Sequence, residues 1–247
     1  MIVAYCYYMR LDKLLADMNV GTRKEIKNKI RNGSVSVGGA IVRDPGTPVT
    51  GAEAILCDGA IVRYQAFSYY MMNKPAGVIS ASEDPRQKTV LDLMDDNRRR
   101  DLFPVGRLDK DTVGLLLITN DGELAHRLLS PKSHVDKVYY ARVTGEVTAD
   151  DIAAFAEGLV VDASLTALPA ELSLLQYHPS EKERCSEVRV TIREGKFHQI
   201  KRMFAAIGKE VLYLKRLSMG PLTLDPALEE GCCRQLTAEE IQLLRSR

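Results

Sequence analysis

The apolar positions of this chain change period as it is read from the N-terminus. Leu11, Leu14, Leu15 and Met18 fall at i, i+3, i+4 and i+7, the stripe of a short helix. Gly21 breaks that stripe, and Thr22 is placed to cap a second helix in which Ile26 and Ile30 share a face. Gly33 ends it. "SVSVGGAIV" then alternates as a hairpin turning at Gly38-Gly39, and "GAEAILCDGAIVRY" predicts further short strands around Asp58-Gly59.

Around residue 65 the pattern changes. "FSYYMMNKPAGVISA" reads as a strand, a Lys74-Pro75-Ala76-Gly77 turn, then more strand. "VGLLLIT" is a buried strand, Asn120-Asp121-Gly122 turns the chain, and "ELAHRLLSP" is a short helix stopped by Pro131. In "KVYYARVTGEV", Tyr139, Ala141 and Val143 face one way, while Val138, Tyr140 and Arg142 face the other. Thr148 and Asp151 have capping-box spacing ahead of a helix ending near Gly158. "SEVRVTIREG" alternates with Val188, Val190 and Ile192 inward. "FHQIKRMFAAIG" carries a helical stripe of Ile200, Met203, Phe204 and Ile207, with Lys201 on its flank and Arg202 roughly opposite. "TAEEIQLLRS" is a last, capped helix. The pattern describes a small ααβ unit followed by a mixed α+β body rich in strands.

Charge changes this picture only locally. The 247 residues hold 34 Lys+Arg against 33 Asp+Glu, which argues against a generally basic coat but leaves room for a basic patch. Residues 1–68 carry 9 basic and 6 acidic side chains. Lys24, Lys27 and Arg31 recur at i, i+3 and i+7 on one face of the second helix, joined nearby by Arg23 and Lys29. Such a face is either solvated surface or a track for a phosphate backbone, and its place on a self-contained unit favours the track. Arg98, Arg99 and Arg100 in "MDDNRRRD" read as an RNA-contacting or simply solvated loop.

Cys6, Cys57, Cys185, Cys232 and Cys233 form no C-x-x-C pair, so they read as reduced thiols in a cytoplasmic protein. The four histidines are scattered, which predicts no metal site. No apolar run reaches membrane-spanning length, and "MIVAYCYY" reads as an extension ahead of a natural start at Met9.

"PVGRLDKDTVGLLLITNDG" crowds Arg107, Asp109, Lys110 and Asp111 against a core strand. A loop aspartate there is a turn residue or a catalytic carboxylate. A carboxylate held near cations stays ionised and can act as nucleophile or base, and the cationic "GKFHQIKRM" segment supplies such cations.

Residues 9–68, through "RLDKLLA", "TRKEIKNKIRNGSVSVGG" and the β-rich segment that closes them, resemble the S4 RNA-binding domain. "PVGRLDKDTVGLLLITNDG" resembles the active-site motif of the pseudouridine synthases, "MNKPAGVIS" their upstream Lys-Pro motif, "KVYYARV" their tyrosine strand, and "REGKFHQIKRMFAAIGKEVLYLKRLSMGPLTLD" their late motif. The resemblance runs from Met9 essentially to the end and is closest to the RsuA branch, which modifies one uridine of small-subunit ribosomal RNA.

It implies an S4 domain over 9–68 and a mainly antiparallel catalytic domain with flanking helices over 69–247. Asp109 is then the essential aspartate, Arg107 fills the gap left by an extruded nucleotide, and Tyr139 stacks on the flipped base. Lys201 matches the cation that pairs with the aspartate, with Arg202 as the alternative. Arg23, Lys24, Lys27, Arg31 and Arg202 are the expected RNA contacts. Lys74 and Pro75 read as structural, shaping the rim of the site; His198 reads as a side chain bonding locally, and Tyr140 as core.

The isomerisation needs no cofactor. The expected partner is ribosomal RNA, within a small-subunit particle or assembly intermediate, and the expected target is of the uridine-516 type in 16S RNA. The chain is expected to act as a monomer. Other readings are the same chemistry on 23S ribosomal RNA or on tRNA, or a non-catalytic ribosome-assembly factor. A glycoside hydrolase using Asp109 and Asp111 is disfavoured, because a chain without tryptophan offers no sugar-binding aromatic surface.

Overall fold

The computed structural model describes residues 8–95, 99–180 and 184–246. They divide into two compact units: one runs up to Ser68 and also takes in Met94–Leu102, and the other comprises Tyr69–Leu93 and the chain from Phe103 onward.

In the first unit, β1 (Met9–Arg10) leads into α1 (Leu11–Asp17) and α2 (Arg23–Arg31). Thr22 caps α2 through a reciprocal box with Glu25, as its spacing predicts. Strands β2 (Val35–Val37) and β3 (Ala40–Ile41) form the hairpin turning at Gly38-Gly39. They are followed by β4 (Pro48–Val49), β5 (Ile55–Cys57) and β6 (Ala60–Val62). β4 pairs with β1, and the others make a sheet ordered β3-β2-β5-β6. Leu11, Leu14, Leu15, Ile26 and Ile30 are buried together against Val35 and Ile55.

The loop arginines differ from expectation. Arg99 is buried: its guanidinium holds both oxygens of Asp101, at 2.9 and 2.8 Å, and donates to the Gln65 carbonyl. Arg100 donates to Asn19 Oδ1 at 2.7 Å. Both are tied to the first unit rather than left as a solvated loop; Arg98 lies outside the described residues.

The second unit is built on a nine-stranded sheet. Its elements are β7 (Tyr69–Lys74), β8 (Phe103–Pro104), β9 (Val113–Thr119), α3 (Gly122–Leu129), β10 (Lys137–Thr144), α4 (Ala149–Glu157), β11 (Val160–Asp162), β12 (Leu165–Thr166), β13 (Glu171–His178), β14 (Cys185–Ile192), α5 (Gln199–Ala206), β15 (Val211–Met219), β16 (Leu222–Thr223), β17 (Cys233–Gln235) and α6 (Ala238–Arg245). The main path is β13-β14-β10-β15-β9-β7-β17, while β11 and β12 pair separately. The strand expected after the Lys74 turn is only an isolated bridge between Ile79 and Thr89, where the chain is occupied in wrapping the Asp109 loop.

Two cores flank this sheet. Phe155 and Phe204, with rings 5.0 Å apart, carry α4 and α5 onto the β10–β14 half. Met71, Leu115, Leu117, Leu124 and Leu128 bury α3 against the other half. The halves meet at the parallel β15–β9 contact, where Arg216 faces Gly114. Gly114 also faces Lys74 across the β7–β9 ladder. Its φ is +99°, and a Cβ there would sit 2.3 Å from the Arg216 carbonyl oxygen. Glycine is required at this seam both by conformation and by space.

Gly114→Ala therefore destabilises the protein by about 2–4 kcal/mol in urea unfolding, combining left-handed strain with overpacking. Gly122→Ala, in open space at the start of α3, leaves stability unchanged or raises it by about 0.5 kcal/mol.

Candidate active site

The turn carrying Asp109 is held from below. Lys74, at the end of β7, is fully buried. Its ammonium donates to the carbonyls of Thr112 at 2.9 Å, Asp109 at 3.0 Å, Pro75 at 3.1 Å and Lys110 at 3.4 Å. Gly77 N donates to the Lys110 carbonyl at 2.8 Å, and Thr112 N closes the turn onto the Asp109 carbonyl at 3.1 Å. The Ser80 hydroxyl and the Leu108 backbone bond each other reciprocally, at 2.9 and 3.0 Å. Lys74 thus lies beneath the site rather than on its rim.

Burial pushes the Lys74 amine down to about 8, while the charges of Asp111 and Asp109 pull it back up. The folded state then holds this proton less tightly than the unfolded chain does. Its contribution to stability is complete above the ordinary lysine range and is lost as pH falls through about 8.

Above the turn, α5 brings in the cation. Lys201 Nζ lies 3.2 Å from Asp109 Oδ2 and 2.5 Å from Asp111 Oδ1. Both carboxylates converge on one ammonium, one from each side of the turn that Thr112 N closes onto the Asp109 carbonyl. Burial works against the charge on Lys201, but its hydrogen bond to Asp111 and the attraction and hydrogen bond of Asp109 outweigh it, so its pKa is raised. Asp111 is lowered, chiefly by its bond from Lys201.

Arg202 does not reach Asp109. Its guanidinium lies on Asp162 and on the Ser164 hydroxyl at 2.6 Å, with a further bond to the Phe197 carbonyl at 3.3 Å. A turn of about 100° per residue separates it from Lys201, so only one of the two can face the aspartate.

Tyr139, from β10, is 7% exposed and lines the same pocket as Asp109, Thr112, Ile192 and Leu214. Tyr140 projects from the other face of the sheet, half-buried and edge-on to Tyr213 at 6.0 Å, so it is not core. Burial and a hydrogen bond to Glu187 push its phenol up to about 12. Arg107 is exposed on the pocket wall and has no ion pair or hydrogen bond among the described residues.

His198 belongs to the site, contrary to its local reading. Its Nε2 is 3.6 Å from Asp109 Oδ1. The signal was present in the sequence, since His198 and Lys201 are three residues apart at the start of a helix and so share a face. Spacing held no comparable signal for Lys74 or for the second arm, Asp111.

In the first unit Arg23, Lys24, Lys27 and Arg31 are exposed, and none is in an ion pair among the described residues. Lys29 is instead paired with Asp58 at 2.7 Å. Arg23 and Lys27 line a groove against α1 together with Arg10 and Lys13. Among the described residues no helix is long and apolar enough to cross a membrane, and no cluster of His, Cys, Asp or Glu could hold a metal.

A carboxylate that shares one lysine with a second carboxylate, beside a buried tyrosine, defines a site for acid–base or nucleophilic chemistry. Comparison with known proteins narrows this class. The family described as RNA pseudouridylate synthase matches residues 68–206, and the S4 domain matches residues 9–55. The chain is 46% identical over 238 residues to an uncharacterized RNA pseudouridine synthase, YtzG, of Bacillus subtilis, spanning 96% of this chain and 98% of that protein. It is 40% identical over 235 residues to the ribosomal small subunit pseudouridine synthase A of Vibrio cholerae, spanning 94% and 98%. It is 38% identical over 237 residues to the ribosomal large subunit pseudouridine synthase B of Bacillus subtilis, spanning 96% of each. A crystal structure of a pseudouridylate synthase superposes with a TM-score of 0.66 at 35% identity, covering 96% of this chain and 99% of that one. The chain belongs to the RNA pseudouridylate synthases, in their RsuA family, and it isomerises uridine in RNA.

In the difference between wild type and Lys74→Met, followed by urea unfolding from pH 7 to 10.5, wild-type stability rises relative to the variant as pH passes through about 8. A flat difference across that range would show that the amine does not titrate there.

Proposed function

We propose that this enzyme converts a single uridine of small-subunit ribosomal RNA, of the uridine-516 type, to pseudouridine. The observation that carries the chemistry is the Asp109 carboxyl set 3.2 Å from the Lys201 ammonium, in a pocket walled by Tyr139. The full-length similarity to small subunit pseudouridine synthases A at 37–40% identity supports the choice of RNA. The 38% identity to a large subunit synthase makes a 23S site the second reading.

The reaction breaks the N1–C1′ bond, turns the uracil, and joins C5 to C1′. No atom is added and no electron is lost, so no cofactor is consumed. The uridine first leaves its stack, as base-modifying enzymes require. Tyr139 offers its ring to the extruded uracil, and Arg107, unpaired on the pocket wall, is placed to occupy the vacancy. Asp109 attacks C1′, attacks C6, or takes the C2′ proton to give a glycal; each route begins from the ionised carboxylate that Lys201 holds. The detached uracil must be kept in register for rejoining, which a tight pocket provides.

Residues 9–68 act as the RNA-holding module, through Arg23, Lys24, Lys27 and Arg31, and residues 69–247 as the catalytic domain. Arg202 contributes by steadying the start of α5, with residual positive charge toward RNA. The substrate is ribosomal RNA in a small-subunit particle or assembly intermediate, met in the cytoplasm by a monomer.

Purified protein given C5-tritiated small-subunit RNA, free and in particles, releases tritium, and Asp109→Asn releases none while binding the RNA as tightly. Substantial release by that variant would refute the assignment of Asp109. Replacing Lys24, Lys27 and Arg31 together with alanine weakens binding and makes its logarithmic salt slope shallower by about 2, roughly 0.7 per phosphate contact on single strands. An unchanged slope would place the RNA contact elsewhere.

A further inference from the structure

Phe197 is a large apolar side chain left 68% exposed. It sits between Lys196 and His198, both on the wall of the Asp109 pocket. Its ring lies on the His198 imidazole, with centroids 3.8 Å apart and planes 18° from parallel. His198 adopts φ 49°, a left-handed conformation uncommon for a residue with a Cβ.

This segment is braced from several sides. Lys196 N donates to Gln199 Oε1 at 3.0 Å, and Gln199 N donates back to the Lys196 carbonyl at 3.2 Å. Arg202 holds the Phe197 carbonyl at 3.3 Å while gripping Asp162 and Ser164. Lys196 Nζ bonds the Thr166 carbonyl at 2.9 Å. The aromatic pair is therefore a fixed ledge. One face of the phenyl ring is covered by imidazole, and the imidazole edge is 3.6 Å from Asp109.

An open, rigid π-face at the lip of a pocket that takes a base out of RNA is matched by a second base. We infer that the stacked Phe197–His198 pair is a platform for the nucleotide next to the extruded uridine, replacing the stacking which that neighbour loses when the uridine leaves. The inference rests on the synthase reading of the Asp109 pocket. Tyr139 is sunk in the pocket and meets the target base; Phe197 stands outside it and meets the flanking one. Because every base has a π-face, this contact adds affinity and positioning without choosing sequence.

The chain contains no tryptophan, so Phe197→Trp installs a single fluorescent reporter at the ledge. Titrated with small-subunit and large-subunit ribosomal RNA transcripts, its emission is strongly quenched, whereas that of a control, Leu175→Trp on β13, changes little. In tritium release, Phe197→Ala raises KM about tenfold, the scale of one lost base–aromatic stack, with a smaller fall in kcat, and Phe197→Tyr restores KM. Unchanged emission on a transcript that the same variant modifies, or a wild-type KM for Phe197→Ala, overturns the platform. Quenching and tritium release confined to the large-subunit transcript overturn the small-subunit assignment and leave the platform standing. Quenching without tritium release from any transcript sinks the synthase reading alone, and no quenching by any transcript sinks the platform.

Discussion

The site depends on a lysine that never meets the substrate. Lys74 is buried at the end of β7 with four backbone carbonyls as its acceptors, three of them from the Asp109–Thr112 turn. A buried ammonium without such partners costs several kcal/mol. The turn, for its part, gains a donor for the Thr112 carbonyl and a second donor for those of Asp109 and Lys110, which Thr112 N and Gly77 N already reach. Each makes the other tolerable, and the result is a backbone that presents Asp109 from a fixed position. Gly114 extends this constraint into the sheet, since it lies between Lys74 on one side and Arg216 on the other.

The electrostatics of the site follow from that position. A tight turn brings Asp109 and Asp111 to the same ammonium, so one lysine serves two carboxylates. Asp111 is the more exposed partner and Asp109 the more enclosed one. Lys201 can therefore yield contact with Asp109 to an incoming substrate and keep its charge on Asp111, which suits a carboxylate that must be both ionised and available. His198, at the N-cap of the same helix, brings a second polar edge toward Asp109.

The two units divide the physical tasks. The first presents, on a short capped helix, exposed cations that have no ion pair among the described residues, a surface suited to a phosphate backbone. The second presents an enclosed tyrosine, a held carboxylate and an exposed aromatic ledge.

Local pattern determined much of this protein. Caps at Thr22, Thr148 and Thr237, the turns at Gly38-Gly39 and Asp58-Gly59, and the alternation of β10 and β14 all depend on neighbours within a few residues, and all were readable in the sequence. The motif around Asp109 announced a carboxylate set among charges, and the family resemblance offered Lys201 as its partner, with Arg202 as the alternative. Only the tertiary structure decided between Lys201 and Arg202, brought Asp111 to the same ammonium as Asp109, brought His198 to Asp109, and buried Arg99. Those outcomes join residues tens of positions apart, where no period or spacing in the chain carries information. Lys74 shows the limit most clearly: a charged residue closing a strand gives no local sign that carbonyls more than thirty residues away will take it out of water.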